Sequence, residues 1–359
     1  MTTHMYVLAK GLQALGWTVA VASGGQEKEH SFGPERFEAE GISHFYVSFL
    51  GFSNRNQPLD ALRAVHKLWH VVSEFRPHII HVQWRSTGPY AKLLHLLRAV
   101  SFVSTLHLEG IPASPVKRLF SFWGRRAIAI STETKQDLIH TFGLSQERVR
   151  LIYNGVDTEY FRKPTASERA EARAHYSLKP EHLVLCSIGR LAYVKGHDLL
   201  LDALSQLSNP NIKTLIAGTG ELKQTLIQKT KDLQLENTVQ FLGHTDSRRV
   251  LWAADICVMP SRQEGFGLVT AEAMLCGVVN IRSLTGGTLD LLDPGKTGVV
   301  ISKEDSHAIA DAVRQLCDNA LRNRLADNAH TKALNTFSAM KMAKDTAHVY
   351  ADVLKEKGT

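Results

Sequence analysis

Hydrophobic residues along the chain fall into short β-branched runs that alternate with longer stretches of helical spacing. Near-continuous apolar runs separated by helices are typical of parallel strands that helices cover on both faces. In the first half of the chain the pattern predicts strands at residues 17–23, 44–50, 78–84, 102–107, 127–131 and 149–153. In the second half it predicts strands at residues 183–188, 213–218, 239–243, 256–261, 278–282 and 298–302. Two such series predict an α/β protein with two doubly wound domains.

A polar segment at residues 157–181 separates the two series of strands. It contains Pro164 and Pro180 and shows no strand pattern, which is typical of a connection between domains. We therefore expect an N-terminal Rossmann-like domain over residues 1–160 and a C-terminal one over residues 161–336. Residues 337–359 have a helical pattern with one apolar side, and this helix could pack back onto the N-terminal domain.

The chain opens with a helical pattern instead of a strand. Met5, Leu8 and Leu12 recur at helical spacing, and Gly16 ends the pattern. A doubly wound domain ordinarily begins with a strand and a glycine-bearing turn ahead of its first helix. We therefore expect the first strand of the N-terminal domain to be missing from this sequence, through a misplaced start codon or a truncation.

Composition agrees with a globular protein of two domains, since 44% of residues are hydrophobic and 21% are charged. No stretch reaches the roughly 18 uncharged apolar residues that a membrane-spanning helix needs. The first residues also lack the basic start and apolar run of a signal peptide. Four scattered cysteines form no CxxC pair, which favours reduced thiols and a cytoplasmic location.

The net charge of +7 indicates an anionic partner. No helix-turn-helix, zinc-finger or RNP-type pattern is present, so we expect no nucleic-acid partner. Residues 90–102 and 116–126 mix bulky apolar with basic side chains, which is compatible with peripheral contact with an anionic membrane. Ordinary helices with solvated basic edges explain these stretches equally well.

The clearest chemical motif follows the predicted strand at residues 256–261. Gly265 and Gly267 form a turn ahead of a helix that begins near Leu268, and Glu264 and Glu272 lie on either side of the turn. Glycines allow close approach of the backbone to an anion, and a helix N-terminus presents free N–H groups beyond the strand ends. The motif predicts a pocket for an anionic ligand, which two carboxylates face from different depths.

A second motif follows the predicted strand at residues 183–188. Arg190 and Lys195 lie on one short loop and are suited to a diphosphate whose negative charge grows as a bond breaks. Two solvated surface cations are the alternative, since this is the usual environment of Arg and Lys. The neighbouring glycine-bearing motif favours the functional interpretation.

In order and spacing, these motifs resemble those of the family 4 retaining glycosyltransferases over most of the chain. The matching segments are Asn154-Gly155-Val156-Asp157 with Phe161, Gly189-Arg190-Leu191, Lys195-Gly196, Ala217-Gly218-Thr219-Gly220, Phe241-Leu242-Gly243, Ala254-Asp255-Ile256, Pro260-Ser261, Glu264-Gly265-Phe266-Gly267, Glu272-Ala273-Met274 and Gly286-Gly287. The resemblance implies a GT-B fold, in which two Rossmann-like domains face each other across a cleft. It also implies an acceptor site in the N-terminal domain and a donor site in the C-terminal domain. The chain departs from the family pattern at Asn280, within a predicted strand, and at Asp290, where the family has glutamate.

The resemblance also implies roles for single residues. Arg190 and Lys195 would neutralise the departing diphosphate, Glu264 would contact hydroxyl groups of the transferred sugar, and Glu272 would hold the ribose hydroxyls. Backbone groups of the intervening turn would meet the sugar and phosphate, and these belong to Gly265, Phe266, Gly267 and Leu268. His107 matches a histidine near the reacting centre, with a purely structural histidine as the alternative. The catalytic residues implied are Glu264, His107, Arg190 and Lys195.

The activity implied is that of a retaining glycosyltransferase of the hexosyltransferase type, which takes its sugar from a nucleotide diphosphate donor. No Asp-x-Asp motif occurs, so we expect neither a metal ion nor another cofactor. A glycan or a lipid-linked molecule is the expected acceptor, in polysaccharide or lipopolysaccharide biosynthesis at the inner face of the cell membrane. The alternative is a non-catalytic sugar-nucleotide-binding or partner subunit with an incomplete active site. A nicotinamide-dependent dehydrogenase is disfavoured, because no G-x-G-x-x-G follows a strand with an acidic residue about 20 positions later.

Overall fold

The computed structural model describes residues 2–24, 34–47, 58–108, 110–111, 118–207 and 209–358. The chain divides into two compact units, of which one comprises Met1–Gly155 with Ala339–Thr359 and the other comprises Val156–Ser338. The units therefore change between Gly155 and Val156, five residues ahead of the boundary that the composition of the sequence suggests. Both units are built on parallel sheets, and the prediction of an α/β fold with two Rossmann-like domains is confirmed.

The N-terminal unit alternates strands with helices. Its strands are β1 (Ala20–Ser23), β2 (Ser43–Tyr46), β3 (Ile79–Val82), β4 (Ser101–Leu106), β5 (Arg126–Ala129) and β6 (Val149–Leu151). Its helices up to the domain boundary are α1 (Thr2–Ala14), α2 (Pro34–Ala39), α3 (Pro58–Phe75), α4 (Gly88–Arg98) and α5 (Thr132–Gln136). The first helix ends as the sequence predicts, since Gly16 has the left-handed φ of 85° that glycine adopts at low cost.

The strands of this unit form two separate sheets in the described part of the chain. β1 pairs with β2, and β3 to β6 form a second parallel sheet in the order β3-β4-β5-β6. A cavity of about 430 Å³ lies between them, and both β1 and β3 line it together with apolar side chains of α1, α3 and α4. The sheet is therefore interrupted between β1 and β3.

The C-terminal unit has one continuous parallel sheet. Its strands are β7 (Leu183–Ile188), β8 (Ile212–Ala217), β9 (Val239–Gly243), β10 (Ile256–Met259), β11 (Val279–Ser283) and β12 (Val299–Ile301). They are arranged in the order β12-β11-β10-β7-β8-β9. The helices are α6 (Ala166–His175), α7 (His197–Ser205), α8 (Lys223–Asp232), α9 (Ser247–Ala253), α10 (Leu268–Leu275), α11 (Thr288–Leu291), α12 (Ser306–Gln315) and α13 (Asn319–Thr336).

Both faces of this sheet are covered, which explains the apolar runs in the sequence. Leu185 of β7 belongs to one apolar cluster, whereas its neighbours Val184 and Cys186 belong to another. Side chains alternate between the two faces of a strand, so these clusters occupy opposite faces of the sheet. A strand buried on both faces has no polar alternation, which is why β7 reads as a continuous apolar segment.

The final helix, α14 (Ala339–Gly358), belongs to the N-terminal unit. Its residues Ala343 and Tyr350 share an apolar cluster with Leu8 and Leu12 of α1. A β-carbon on Gly11 would lie 2.6 Å from the β-carbon of Ala343, so glycine allows the two helices to approach closely. None of the helices in the described ranges combines the length and the apolar composition that crossing a membrane requires.

Each strand that the sequence predicts corresponds to an observed strand, with ends that differ by a few residues. The largest difference is at residues 44–50, where β2 ends at Tyr46 and residues 48–50 lie outside the described ranges. Three of the four cysteines are buried free thiols, as their apolar neighbours suggest, whereas Cys317 is exposed.

Candidate functional site

The order of the C-terminal sheet reverses between its two central strands. The chain runs from β7 outward to β8 and β9, and then returns to β10 on the other side of β7. Ligands of open parallel sheets bind beyond the carboxyl ends of the strands at such a reversal. The loop with Arg190 and Lys195 follows β7, and the turn from Glu264 to Leu268 follows β10. Both predicted motifs therefore begin at the reversal point of one sheet.

Close backbone contact joins these two loops. Gly196 has a φ of 67°, and a β-carbon there would lie 2.0 Å from the carbonyl oxygen of Pro260. The N–H of Arg262 donates a hydrogen bond of 2.8 Å to the carbonyl oxygen of Val194. Only glycine fits at position 196, because any side chain would collide with the backbone of the second loop.

The loop after β8 joins the same group. A β-carbon on Gly218 would lie 1.9 Å from the carbonyl oxygen of Gly189, and one on Gly220 would lie 2.4 Å from that of Leu191. The N–H of Leu191 also donates to the carbonyl oxygen of Thr219 at 2.9 Å. The loops after β7, β8 and β10 thus form one connected rim, and the Ala217–Gly220 motif of the sequence has a structural role in it.

Lys195 and Glu264 form an ion pair across this rim. The Lys195 ammonium group donates a hydrogen bond to the Glu264 carboxylate, and their side chains are 23% and 16% exposed. Arg190 is exposed, and its guanidinium group has no hydrogen-bond or ion-pair partner within the described ranges. The rim therefore presents one compensated and one uncompensated cation within six residues of the chain.

Arg262 holds the cationic loop in place, a role that no local sequence pattern indicates. Its guanidinium group binds both carboxylate oxygens of Asp198 at 2.8 and 2.7 Å and contacts Glu304 at 2.8 Å. It also donates to the carbonyl oxygen of Tyr193 at 2.8 Å and lies 4.1 Å from the centre of that ring. These carboxylates raise the pKa of Arg262, so its charge is permanent.

The turn before α10 lies over a buried arginine. Gly267 has a φ of 83°, and a β-carbon there would lie 2.7 Å from the Nη1 atom of Arg282. Arg282 is 1% exposed and donates to the Thr270 hydroxyl at 3.3 Å and to the Gly286 carbonyl oxygen at 2.9 Å. A fixed cation beneath a helix N-terminus adds to the positive potential that attracts anions there. The local sequence marks residue 282 only as the end of a strand and does not indicate this contribution.

Glu272 lies in the second turn of α10. Desolvation raises the pKa of its carboxyl group from 4.5 to about 7. The residue nevertheless keeps partial exposure, and no hydrogen bond reaches its carboxylate from any described residue. The protein around this carboxylate desolvates it without supplying a hydrogen-bond partner from the described residues. Such a carboxylate is suited to accept hydrogen bonds from the hydroxyl groups of a ligand.

The unusual Asn280 is fully buried in β11. Its side-chain nitrogen donates to the carbonyl oxygens of Thr270 and Val278 at 3.4 and 3.3 Å. The amide thus connects β11 to the first turn of α10, which explains a polar residue inside a strand. Asp290, the other departure from the family pattern, lies half-buried in the short helix α11.

His107 lies in the N-terminal unit, directly after β4. Its Nε2 atom lies 2.8 Å from the side-chain oxygen of Gln83, and its ring packs edge-on against that of His4 at a centroid distance of 4.7 Å. Burial holds the pKa of His107 well below 6.5, and the nearby His4 lowers it further. Burial is also the largest cause that lowers the pKa of His4, to about 4.

A third histidine completes this cluster. The two ring nitrogens of His81 lie 2.6 Å from the Tyr350 hydroxyl and 2.7 Å from the Thr105 hydroxyl. Burial and the neighbouring His4 lower its pKa to about 3. Hydrogen-bond partners at both ring nitrogens make His81 a structural histidine, whereas the partly buried His107 has such a partner at Nε2.

The structure brings the predicted C-terminal residues to one rim and places His107 in the other unit. The residues at the rim are Arg190, Lys195, Glu264, Gly265, Phe266, Gly267 and Leu268, and Glu272 lies in α10, which begins at this rim. Their catalytic and donor-binding roles remain predictions. Within the described ranges no group of three or more His, Cys, Asp or Glu side chains is placed to hold a metal ion.

The comparisons with known families and curated proteins agree with one another. Residues 1–160 match the family described as Glycosyltransferase Family 4, and residues 168–332 match the one described as Glycosyl transferases group 1. An uncharacterized glycosyltransferase of Methanocaldococcus jannaschii is 25% identical over 100% of this chain and 95% of its own length. A D-inositol 3-phosphate glycosyltransferase of Streptomyces bingchenggensis is 30% identical over 77% of this chain and 65% of its own length. The N-acetyl-alpha-D-glucosaminyl L-malate synthase of Bacillus anthracis is 26% identical over 77% of this chain and 75% of its own length.

Solved structures show the same fold. The crystal structure of Anabaena HepE in complex with UDP has a TM-score of 0.85 and 23% identity, over 98% of this chain and 96% of that one. A glycosyltransferase from Rickettsia africae has a TM-score of 0.86 and 20% identity, over 99% of this chain and 95% of that one.

Proposed function

The chain belongs to the family 4 glycosyltransferases, and from this we propose that it transfers a sugar from a nucleotide diphosphate donor to a hydroxyl acceptor. The observation on which the site assignment depends is the joined rim, where Arg190 and the Lys195–Glu264 pair meet the turn before α10. The Anabaena protein was crystallised with UDP and with UDP-glucose, which supports a donor of this chemical class.

The rim supplies positive charge where the reaction needs it. As the bond between the anomeric carbon and the phosphate oxygen breaks, its electron pair stays on the departing diphosphate, whose negative charge grows. We assign the stabilisation of this charge to Arg190, Lys195 and the N-terminus of α10 above Arg282. The acceptor oxygen bonds to the anomeric carbon, and the reaction releases one proton with the nucleotide diphosphate.

The two glutamates contact different parts of the donor in this proposal. Glu264, beside Lys195, accepts hydrogen bonds from hydroxyl groups of the transferred sugar. Glu272 accepts them from the ribose hydroxyls, for which a partly exposed carboxylate without a partner among the described residues is suited. We propose retention of the anomeric configuration, with His107 near the reacting centre, as the family resemblance implies. The fixed cations of the rim supply the positive charge without a metal ion.

For the acceptor we propose a glycan or a lipid-linked molecule, in the synthesis of a surface polysaccharide or lipopolysaccharide on the cytoplasmic side of the membrane. The names of the curated relatives refer to D-inositol 3-phosphate and L-malate, two small molecules that bear hydroxyl groups. They support a hydroxyl group as the attacking nucleophile. The buried free thiols support a reducing compartment.

A calorimetric panel of UDP- and GDP-linked sugars tests the donor class directly. We expect one nucleotide sugar to bind, and we expect Arg190→Ala to weaken its binding at least tenfold because an uncompensated cation is lost. Lys231→Ala removes an exposed cation from α8 and is the matched control, for which we expect unchanged binding. Equal binding by all three proteins would refute the placement of the site.

Turnover separates the enzyme from the non-catalytic alternative. With the bound donor and a panel of hydroxyl acceptors, we expect release of free nucleotide diphosphate with formation of a new glycoside. Tight donor binding with no release, even by slow hydrolysis, would favour a sugar-nucleotide-binding subunit instead.

A further inference from the structure

A second cavity of the N-terminal unit, of about 370 Å³, has no part in the proposed reaction. Phe102 lies at the beginning of β4, and Gly124 and Arg125 directly precede β5, so the cavity opens at the amino ends of these strands. His107 follows the carboxyl end of β4. In a parallel sheet these are opposite edges, so the cavity is distinct from the region around His107.

The cavity is basic and aromatic. Lys92, Arg125 and Arg148 line it, together with the aromatic side chains of Phe122, Trp123 and Phe142 and the imidazole of His95. None of the described residues that line it is acidic, although Glu356 lies 3.9 Å from Arg125 and the exposed Glu147 precedes Arg148. The balance of charge at the cavity favours an anionic ligand.

Trp123 gives a second indication of a ligand. It is 5% exposed, and its indole N–H has no acceptor within the described ranges. The ring packs edge-on against Phe142 at a centroid distance of 4.9 Å. A buried N–H without an acceptor is costly, and an anionic oxygen in the cavity would satisfy it.

Large apolar side chains are exposed beside the cavity. On α4, Leu96 and Leu97 are 66% and 55% exposed, and Leu96 lies one helical turn beyond Lys92. Leu119 and Phe120 are 72% and 58% exposed and directly precede Ser121 and Phe122, which line the cavity. The contact between Gly88 and Phe122, where a β-carbon would lie 2.7 Å from the carbonyl oxygen, holds these two segments together. Exposed apolar side chains therefore lie on both chain segments that contribute to the cavity lining.

We propose that this face of the N-terminal unit docks on an anionic phospholipid membrane. The cavity receives the phosphate of one lipid headgroup, which Lys92 and the indole N–H of Trp123 contact, and the four exposed apolar side chains enter the interface between headgroups and acyl chains. A soluble acidic protein or a nucleic acid would match the basic charge but would not explain four exposed apolar side chains, whereas a lipid surface matches both. The proposal goes beyond the transfer reaction and does not rest on it.

Sedimentation with phospholipid vesicles tests the proposal. We expect the full chain to sediment with vesicles of one-third phosphatidylglycerol and two-thirds phosphatidylcholine, and to remain in solution with pure phosphatidylcholine. High salt should weaken binding, because ions screen the attraction between the basic residues and the lipid surface. Equal binding to both kinds of vesicle, or to neither, would overturn the proposal.

Variants locate the binding face. We expect Lys92→Glu to lower the vesicle partition coefficient at least tenfold, and Leu119→Ser with Phe120→Ser to lower it by a similar factor. Lys231→Glu makes the same charge change on α8, and Leu334→Ser removes a side chain that is 44% exposed on α13. We expect both controls to bind as the unchanged protein does, and a loss in the controls equal to that in the test variants would contradict the assignment.

Two further measurements identify the ligand and separate this proposal from the transferase proposal. Inorganic phosphate and glycerol 3-phosphate should raise the melting temperature little. Strong stabilisation by either, without vesicle binding, would identify a soluble phosphate ligand and overturn the membrane assignment.

Because the substituted side chains are exposed or line the cavity, we expect all variants to keep the melting temperature and the donor affinity of the unchanged protein. Arg190→Ala should in turn keep full vesicle binding, and its loss would contradict the independence of the two sites.

Discussion

The ammonium group of Lys195 donates a hydrogen bond to the carboxylate of Glu264, although 69 positions separate the two residues in the chain. The loops after β7 and β10 bring them together at the point where the order of the sheet reverses. A diphosphate that binds Lys195 therefore competes with Glu264, and the carboxylate becomes available to hydroxyl groups of the sugar. In the proposed reaction, the pair would thus link the recognition of the phosphate to that of the sugar.

Substitution of either partner should separate these effects. We expect Lys195→Ala to weaken donor binding or turnover at least tenfold, because a cation that stabilises the leaving group is lost. Glu264→Gln should bind the nucleoside diphosphate alone several-fold more tightly, since Lys195 is no longer compensated, yet turn over the donor at least tenfold more slowly. Calorimetry and initial rates measure the two quantities. Weaker diphosphate binding by Glu264→Gln would contradict the competition.

The raised pKa of Glu272 predicts a conflict between stability and donor binding. Its pKa is about 4.5 in the unfolded chain and about 7 in the folded one, so the folded state loses stability as the pH rises between these values. Glu272→Gln should therefore stabilise the protein by roughly 3 kcal/mol at pH 8 and hardly at all at pH 4.5. Denaturant titrations at several pH values measure this, with Glu236→Gln on the surface as the control. Glu272→Gln should also bind the donor at least tenfold more weakly. A stability difference between Glu272→Gln and the unchanged protein that is equal at every pH would refute the assignment.

Gly196 should be much less tolerant of alanine than a glycine of the same backbone conformation. Gly196 and Gly243 both have a φ of 67°, but only at Gly196 would a β-carbon meet another backbone atom, the carbonyl oxygen of Pro260 at 2.0 Å. Gly243→Ala should cost about 1–2 kcal/mol for the left-handed conformation. Gly196→Ala should cost at least about 2 kcal/mol more, because the two loops must separate. Equal costs in urea titrations would show that the rim is loose.

The histidine cluster predicts acid sensitivity of the N-terminal unit. Burial lowers the pKa of His4 to about 4 and that of His81 to about 3, below the value of 6.5 that each has without burial. The unfolded chain thus binds protons first, and stability is lost as the pH falls from 6.5 toward these values. Each histidine contributes a slope of about 1.4 kcal/mol per pH unit in this window. His4→Gln should reduce the slope of the unfolding free energy against pH between pH 6 and pH 4.5. His348→Gln, at an exposed position, is the control. An unchanged slope in His4→Gln would exclude buried His4 as a cause of the acid sensitivity.

The interruption of the N-terminal sheet predicts the effect of an added strand. The cavity of about 430 Å³ has apolar walls and is bordered by β1 and β3, whose remaining edges have no strand partner in the described ranges. An extension ahead of α1, made of a β-branched strand and a Gly-Gly turn, should pair with both edges and raise the melting temperature by at least about 4 °C. A Gly-Ser extension of equal length is the control. A similar effect of both extensions would show that the cavity does not accept a strand.

Several features of the fold could be read from local sequence, and each has a local cause. The strands of the C-terminal unit are apolar throughout because both faces of their sheet are covered, and the periodicity of α1 ends at Gly16 because glycine adopts the left-handed conformation easily. The glycine-bearing turn after β10 was also readable, since a strand, a turn and a helix follow one another within a few residues.

Other features depend on residues that are distant in the chain. Arg262 binds Asp198 and Glu304, which lie 64 and 42 positions away, and Arg282 contributes its charge from a neighbouring strand. The histidine cluster combines α1 with the ends of β3 and β4. No local pattern marks such residues, because an arginine at a strand end or a histidine in a helix has the same sequence neighbourhood whether or not it finds a partner.

The succession of strands and helices follows from the amino-acid sequence alone. So do the positions of the two motifs and the chemical class of ligand that they suit. Burial pattern and backbone preference are properties of a few consecutive residues, and they can be read without knowing the fold. Three features depend on how the chain folds: Lys195 is compensated by Glu264 while Arg190 is not, Glu272 is desolvated, and basic and aromatic side chains line one cavity. Charge compensation, desolvation and surface composition arise only when distant segments pack together, and for this reason they became visible only in the folded chain.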